Sequence, residues 1–217
     1  MIFYLMGEQA AVMQTSRVIS LPCQRRIWSL AHSLKQHTHY LDVIPGMNNL
    51  TVIFDPLHCS GAAVLQHLKQ SWEEAKETVF AQREIAVPVH YGGEHGPDLH
   101  VVASHTGLTS DEVVMRHSQA DYLVYFLGFQ PGFAYLGGLP PELHTPRRTS
   151  PRLKVAAGAV GIGGAQTGIY PAASPGGWQL IGNTQLTLFN PQESNPASAC
   201  LFQPGDIVRF TVASMEG

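Results

Sequence analysis

The spacing of apolar residues changes period several times in the first eighty or so positions. In RRIWSLAHSLKQ, Ile27, Leu30, Ala31 and Leu34 fall at i, i+3, i+4 and i+7, which predicts a helix with one apolar face. YLDVI and LTVIF are short β-branched runs joined by PGMNN, a hairpin pattern. GAAVLQHLKQSWEEAKE returns to the helical period, with Val64, Leu68, Trp72 and Ala75 on one side and carboxylates and lysines opposite. EIAVPVH then alternates Ile85, Val87 and Val89 with Glu84, Ala86 and Pro88, the proline marking an edge or a bend. With MIFYL and AAVMQ as the opening strand signals, the succession reads β-α-β-β-α-β. That predicts an α+β N-terminal domain over residues 1–84, a small antiparallel sheet with two helices on one face, ferredoxin-like in arrangement.

After EIAVPVH the texture changes. YGGEHGPDL is a glycine-proline loop, a short helix is expected to begin near Asp98, and Gly107 reads as the glycine just past its end. Thr109 and Glu112 have the spacing of a capping box for the helix DEVVMRHS. From Tyr122 onward the helical period is lost. YLVYFLGF, VGIGG, WQLIG and LTLFN are short apolar segments between Pro/Gly turns, the spacing of an all-β barrel or sandwich over residues 85–217. The last of the strand signals, DIVRFTV, buries Val208, Phe210 and Val212 by alternation. A tight junction near residue 84 separates the two textures.

Composition narrows the partners. The 217 residues are 44% hydrophobic and only 13% charged, against the ~25% that is usual. That balance leaves open either apolar surface reserved for a partner or a close-packed, glycine-rich domain. A net charge of −3 and a pI near 6.4 supply no basic field for nucleic acid or anionic membrane. Cys23, Cys59 and Cys200 are odd in number and far apart, as expected of a chain in a reducing cytoplasm. The apolar start MIFYLM is too short for a signal core or a membrane span.

The most unusual stretch is VAAGAVGIGGAQTGIYPAASPGGW, residues 155–178, with seven glycines and no charge. Gly163 and Gly168 satisfy G-x-x-x-x-G, yet a phosphate loop needs Lys and then Ser/Thr next, where Ile169 and Tyr170 stand. The dinucleotide pattern begun by Gly161 and Gly163 fails at Gln166. His90, His95, His100 and His105 recur every five residues, but five residues rotate a helix by about 140°, so they share no face and no metal is expected. Ala172-x-Ser174-x-Gly176 lacks the first glycine of a nucleophile elbow, leaving Ser174 as a turn former. Two features remain. TPRRTSPRLK gathers Arg147, Arg148, Arg152 and Lys154, suited to carboxylates or phosphates or else simply solvated. Gln166, Thr167 and Tyr170 are sparse polar groups amid glycine and apolar residues, like a ligand-pocket wall, and Phe129, Phe133 and Tyr135 surround Pro131-Gly132 as either an aromatic rim or an ordinary core.

Taken together, YGGEHGPDL, FLGFQPGFAYLGGLP, PRRTSPR and AAGAVGIGGAQTGIYPAASPGGWQLIGNT, with IPGMNNLTV in the first half, closely resemble the allophanate hydrolase subunit 1 or Kip inhibitor-type family. Its bacterial members include the B component of 5-oxoprolinase. The resemblance covers nearly the whole chain and implies that residues 85–217 form a cyclophilin-like barrel. It implies ATP-dependent opening of the lactam of 5-oxo-L-proline to L-glutamate, a hydrolase activity shared within a heteromeric complex. The partners would be the C component, similar to allophanate hydrolase subunit 2 and carrying a related barrel, and the A component. ATP and Mg²⁺ would be bound by the complex rather than by this chain alone. Inhibition of a sensor histidine kinase, or service to a biotin-dependent carboxylase or allophanate hydrolase-like enzyme, are the alternatives the family allows. Ala156-Ala157-Gly158-Ala159 stands where the family has Pro-Ala-Gly-Ser, and Asn183 where basic residues are common, so no role for a hydroxyl at 159 or a cation at 183 is transferred. Nor does a cyclophilin-like fold by itself bring prolyl isomerase activity. The expected substrate wall is Gln166, Thr167, Tyr170, Arg152, Phe129 and Phe133, completed by a partner.

Overall fold

A computed structural model of the chain describes residues 1–15, 20–77 and 82–216, which fall into two compact units, Met1–Ala81 and Gln82–Gly217. The first unit opens with β1 (Ile2–Leu5) and β2 (Ala10–Gln14), an antiparallel hairpin that turns through Gly7 at φ +69°. Then come α1 (Leu21–Leu34), β3 (Tyr40–Gly46), β4 (Asn49–Phe54) and α2 (Gly61–Glu74). The β3–β4 hairpin turns through Asn48 at φ +58°, a conformation asparagine tolerates better than most residues. Ser60 starts α2 by accepting the Ala63 N–H at 3.3 Å.

All pairings in this unit are antiparallel, in the order β1-β2-β4-β3. Ile27, Leu30, Ala31 and Leu34 of α1 and Val64, Leu68 and Trp72 of α2 pack with Met13, Leu50, Val52 and Phe54 of the sheet. Each fully buried side chain of this size contributes about 1.5–3 kcal/mol. The expected β-α-β-β-α-β succession needs correction at its last strand. EIAVPVH does not close this sheet. The free edge of β2 is already taken by β1, and EIAVPVH belongs to the second unit.

The second unit contains β5 (Glu84–Gly92), α3 (Leu99–Thr106), α4 (Ser110–Gln119), β6 (Asp121–Leu127), β7 (Ala134–Gly137), β8 (Arg152–Val155), β9 (Ala159–Gly163), β10 (Gln166–Ile169), β11 (Ser174–Gly176), β12 (Gln179–Asn183) and β13 (Ile207–Glu216). Seven of these strands form a closed barrel in the order β10-β7-β6-β13-β5-β12-β9, while β8 and β11 pair as a separate ribbon. Val87, Val89 and Tyr91 of β5 point into the barrel with Val124, Leu136, Ile162, Ile181, Val208 and Phe210. Val212 departs from the expected alternation: it is 49% exposed, next to a register shift in the β13–β5 ladder. Gly107 ends α3 at φ +72°, and the Thr109–Glu112 capping box is fully formed at α4. Among the described residues no helix is long and apolar enough to cross a membrane.

One polar network lies inside the barrel. Thr167 donates to the Gly161 carbonyl at 3.0 Å, so it must accept from Nε2 of His117, 2.9 Å away. Nδ1 of His117 then accepts from the Tyr91 hydroxyl at 2.8 Å. The Tyr122 hydroxyl donates to the His117 carbonyl at 2.8 Å. Burial pushes the His117 imidazole down to about 3 and raises both phenols. At neutral pH the ring is therefore an uncharged, single-tautomer strut.

Candidate functional site

The glycine-rich segment 155–178 forms β9, β10 and β11 and the turns between them. Its glycines serve an aromatic ring rather than a phosphate. The Trp178 indole lies across the outer wall of the barrel, where a Cβ at Gly163 would come within 2.6 Å of it and one at Gly168 within 3.2 Å. Phe133, Val155, Ala159, Tyr170 and Leu180 complete this outer apolar layer around Trp178.

A cleft of about 200 Å³ opens beside that layer. Its walls are the aromatic side chains of Phe129, Phe133, Tyr135, Tyr170 and Trp178 together with Arg147 and Arg148. Phe133 meets Tyr170 and Trp178 edge-on, with ring centroids 5.5 and 5.7 Å apart. Phe129 stands at the rim, 63% exposed and at φ +70°, a conformation that costs a bulky residue energy. The turn that holds it closes through bonds from Gly128 N–H to the Phe133 carbonyl (3.1 Å) and from Phe133 N–H to the Gln130 carbonyl (3.0 Å). Burial raises the Tyr170 phenol above its usual range, opposed by a hydrogen bond from the Trp178 backbone and by Arg147. It is thus a neutral donor at pH 7, and among the described residues no acceptor is placed for its proton.

The arginine loop is fixed from below. Thr145 and Gly164 exchange backbone bonds of 3.2 and 2.8 Å, and Arg148 N–H donates to the Gly177 carbonyl at 2.7 Å. Asp98, buried at the start of α3, accepts from Arg148 at 3.2 Å, from Arg152 at 2.7 Å and from the Leu180 N–H at 2.7 Å. Arg147 has no carboxylate partner among the described residues, and its guanidinium lies 5.7 Å from the Trp178 ring.

Of the six expected wall residues, Phe129, Phe133 and Tyr170 line the cleft. Thr167 does not: it faces the barrel interior, and its hydroxyl is spent on His117 and Gly161. Gln166, the next residue along β10, lies on the other face of the strand and outside the cleft lining. Arg152 lies outside the cleft lining and pairs with Asp98 through Nη2. Tyr135, Arg147, Arg148 and Trp178 complete the lining. The arginines were visible as a basic cluster, whereas Trp178 becomes a wall only once the register sets Gln179 opposite Ile162.

Seven strands thus close into a barrel whose outer wall carries a cleft of aromatic rings and guanidiniums, and the glycine-rich segment forms strands and turns rather than a phosphate loop. The chain belongs to the family described as carboxyltransferase domain, subdomain C and D, whose model matches residues 1–199. It is 51% identical to the 5-oxoprolinase B subunit of Escherichia coli O157:H7 over 214 residues, 99% of this chain and 96% of that relative. The solved structure of TTHA0988 is similar with a TM-score of 0.82 and 36% identity, covering 96% of this chain; this chain spans only 40% of the solved one. The urea amidolyase of Kluyveromyces lactis shares the fold, with a TM-score of 0.83 at 20% identity over 98% of this chain and 15% of its own.

Proposed function

We propose that this chain is the B component of a cytoplasmic, ATP-dependent 5-oxoprolinase, opening 5-oxo-L-proline to L-glutamate with formation of ADP and phosphate. The observation that carries this reading is the 51% identity to a relative of that name over nearly the full length of both chains. The cleft agrees with it chemically. A five-membered lactam ring is flat and small enough for a space of about 200 Å³ between aromatic faces. Its carboxylate would meet Arg147 and Arg148 at the mouth, and the unused Tyr170 proton would go to a carbonyl or carboxylate oxygen.

A lactam resists hydrolysis because its nitrogen lone pair is delocalised into the carbonyl. ATP removes that resistance when the amide oxygen is phosphorylated, after which donors must stabilise the developing charge. The cleft supplies binding and donors but no group suited to act as general base: it is lined by phenols and guanidiniums, with no carboxylate or imidazole among the described lining residues. It also lacks a ligand set for Mg²⁺, since the nearby Asp98 carboxylate is already held by two guanidiniums and a backbone N–H. The C and A components would therefore complete the site, and ATP would be held by the complex.

The test is co-expression with the candidate partners and an ATP-dependent 5-oxoproline assay. Tyr170→Phe is expected to lower kcat/KM by about tenfold, the worth of one good hydrogen bond. Full hydrolysis by the chain alone would overturn the shared-site reading. Inhibition of a histidine kinase or labelled carboxyl transfer, without hydrolysis, would overturn the hydrolase reading itself.

A further inference from the structure

Arg147 and Arg148 are a ridge between two clefts. On one side lies the aromatic cleft; on the other is a more open hollow of about 510 Å³. Beyond the ridge its walls carry Thr149, Ser150, His105 and Gln179, with no carboxylate among the described lining residues. Among the described residues, the carboxylate of Asp98 is the one that pairs with the guanidiniums of Arg148 and Arg152, and Arg147 has no carboxylate partner, so positive charge is in excess at the ridge. The Nε–H of Arg148 is buried and has no partner among the described residues.

Gln179 gives the hollow a second, more selective feature. It is only 7% exposed, and its Nε2 donates to the Pro146 carbonyl at 2.9 Å. That bond fixes the amide orientation, because the flipped form would set two carbonyl oxygens against each other. Its Oε1 is buried and lacks a donor among the described residues. A buried acceptor without a donor is costly, so a fitting ligand should bring an O–H or N–H to it. Cationic donors beside one lone acceptor match an oxyanion that retains a proton.

We propose that this hollow binds a phosphate group, as inorganic phosphate or the phosphate end of a nucleotide, with its oxygens on Arg147, Arg148 and Thr149 and its P–OH donated to Gln179 Oε1. Phosphate monoesters lose their last proton only near neutral pH, so the protonated form is available. The inference rests on the hydrolase reading for its purpose: it puts a phosphate on the far side of the same ridge that faces the lactam. Its physical test does not need that reading.

The full chain would be titrated with inorganic phosphate, ADP, ATP and sulfate at low ionic strength, followed by calorimetry and phosphorus NMR. One saturable phosphate site is expected. Arg147→Gln should weaken it at least tenfold, and the exposed position of that residue keeps the fold intact, which circular dichroism checks. Sulfate cannot donate a proton near neutral pH, so it should bind about tenfold more weakly than phosphate, and Gln179→Met should erase that preference. Nucleotides binding more tightly than phosphate would identify the nucleotide as the source, and equal affinities would identify the free ion; either supports the site. No saturation, equal affinity for phosphate and sulfate in the unaltered chain, or indifference to Arg147→Gln would overturn it. Hydrolysis with partners, assayed in parallel, separates the two ideas. Activity without phosphate binding sinks this inference alone, and phosphate binding without activity sinks the hydrolase reading alone.

Discussion

Gly163 and Trp178 are fifteen positions apart, yet each explains the other. A methyl group at 163 would press into the indole at 2.6 Å; Gly163 is held in the β9–β10 ladder, and Trp178 directly precedes β12, whose first rung is Gln179. Gly163→Ala is therefore expected to cost about 1–3 kcal/mol and to alter tryptophan fluorescence. Urea unfolding checks both, and unchanged stability would mean the indole does not sit there. His117 makes a prediction in pH. The unfolded chain takes up a proton near 6.5, but the buried ring refuses it until about 3. The stabilisation from the neutral imidazole is thus complete above 6.5 and is lost as pH falls toward 3, by at most tenfold in the folded-to-unfolded ratio per pH unit. His117→Gln should have a shallower decline of urea midpoint across that window. These residues also show where sequence reading stops. The seven glycines of residues 155–178 are plain in the sequence, but what they make room for depends on a register that no local pattern contains. Thr167 looked like a wall residue because its polarity was visible and its orientation, set by strand alternation, was not.

At the scale of elements, signals internal to one segment were the legible ones. The faces of α1 and α2, the turn at Gly107 and the capping box of α4 all follow from spacings of three or four residues. Thr109→Ala should cost about 1 kcal/mol by removing the acceptor for the Glu112 N–H, measurable as a lowered thermal midpoint. The destination of β5 was not legible, because an alternating strand suits a sheet and a barrel equally. Only the occupancy of the β2 edge by β1 decides it. Asp98 is the comparable hidden element. It reads as a helix start, and it also ties α3 to β12 and to the arginine loop. Asp98→Ala is expected to destabilise by about 2–3 kcal/mol, short of the full cost of breaking a buried pair because Arg148 and Arg152 can still reach water. It should also loosen the cleft, visible as weaker substrate binding, while Asp98→Asn, which keeps an acceptor for Leu180, should lose less.

For the molecule as a whole, the two units each have a separate apolar core, one around Leu50 and Phe54 and the other around Tyr91 and Phe210. Residues 82–217 expressed alone should accordingly unfold in one cooperative transition with His117 still protected from protonation; a molten, non-cooperative fragment would show that the core needs the first unit. Within that unit, β5 pairs in parallel with β13, beginning at Glu84 opposite Ile207, and Arg83 grips Asp206 beside that first rung. The first barrel strand made by the ribosome must therefore wait for the last. At roughly 5–20 residues per second, the intervening hundred or so residues take on the order of ten seconds to synthesise. Throughout that interval Val87, Val89 and Tyr91 have no closed barrel to enter, and the nascent chain carries an open strand edge. Yield in a cell should then respond to translation speed, temperature and chaperone supply more than the equilibrium stability of the finished barrel would suggest.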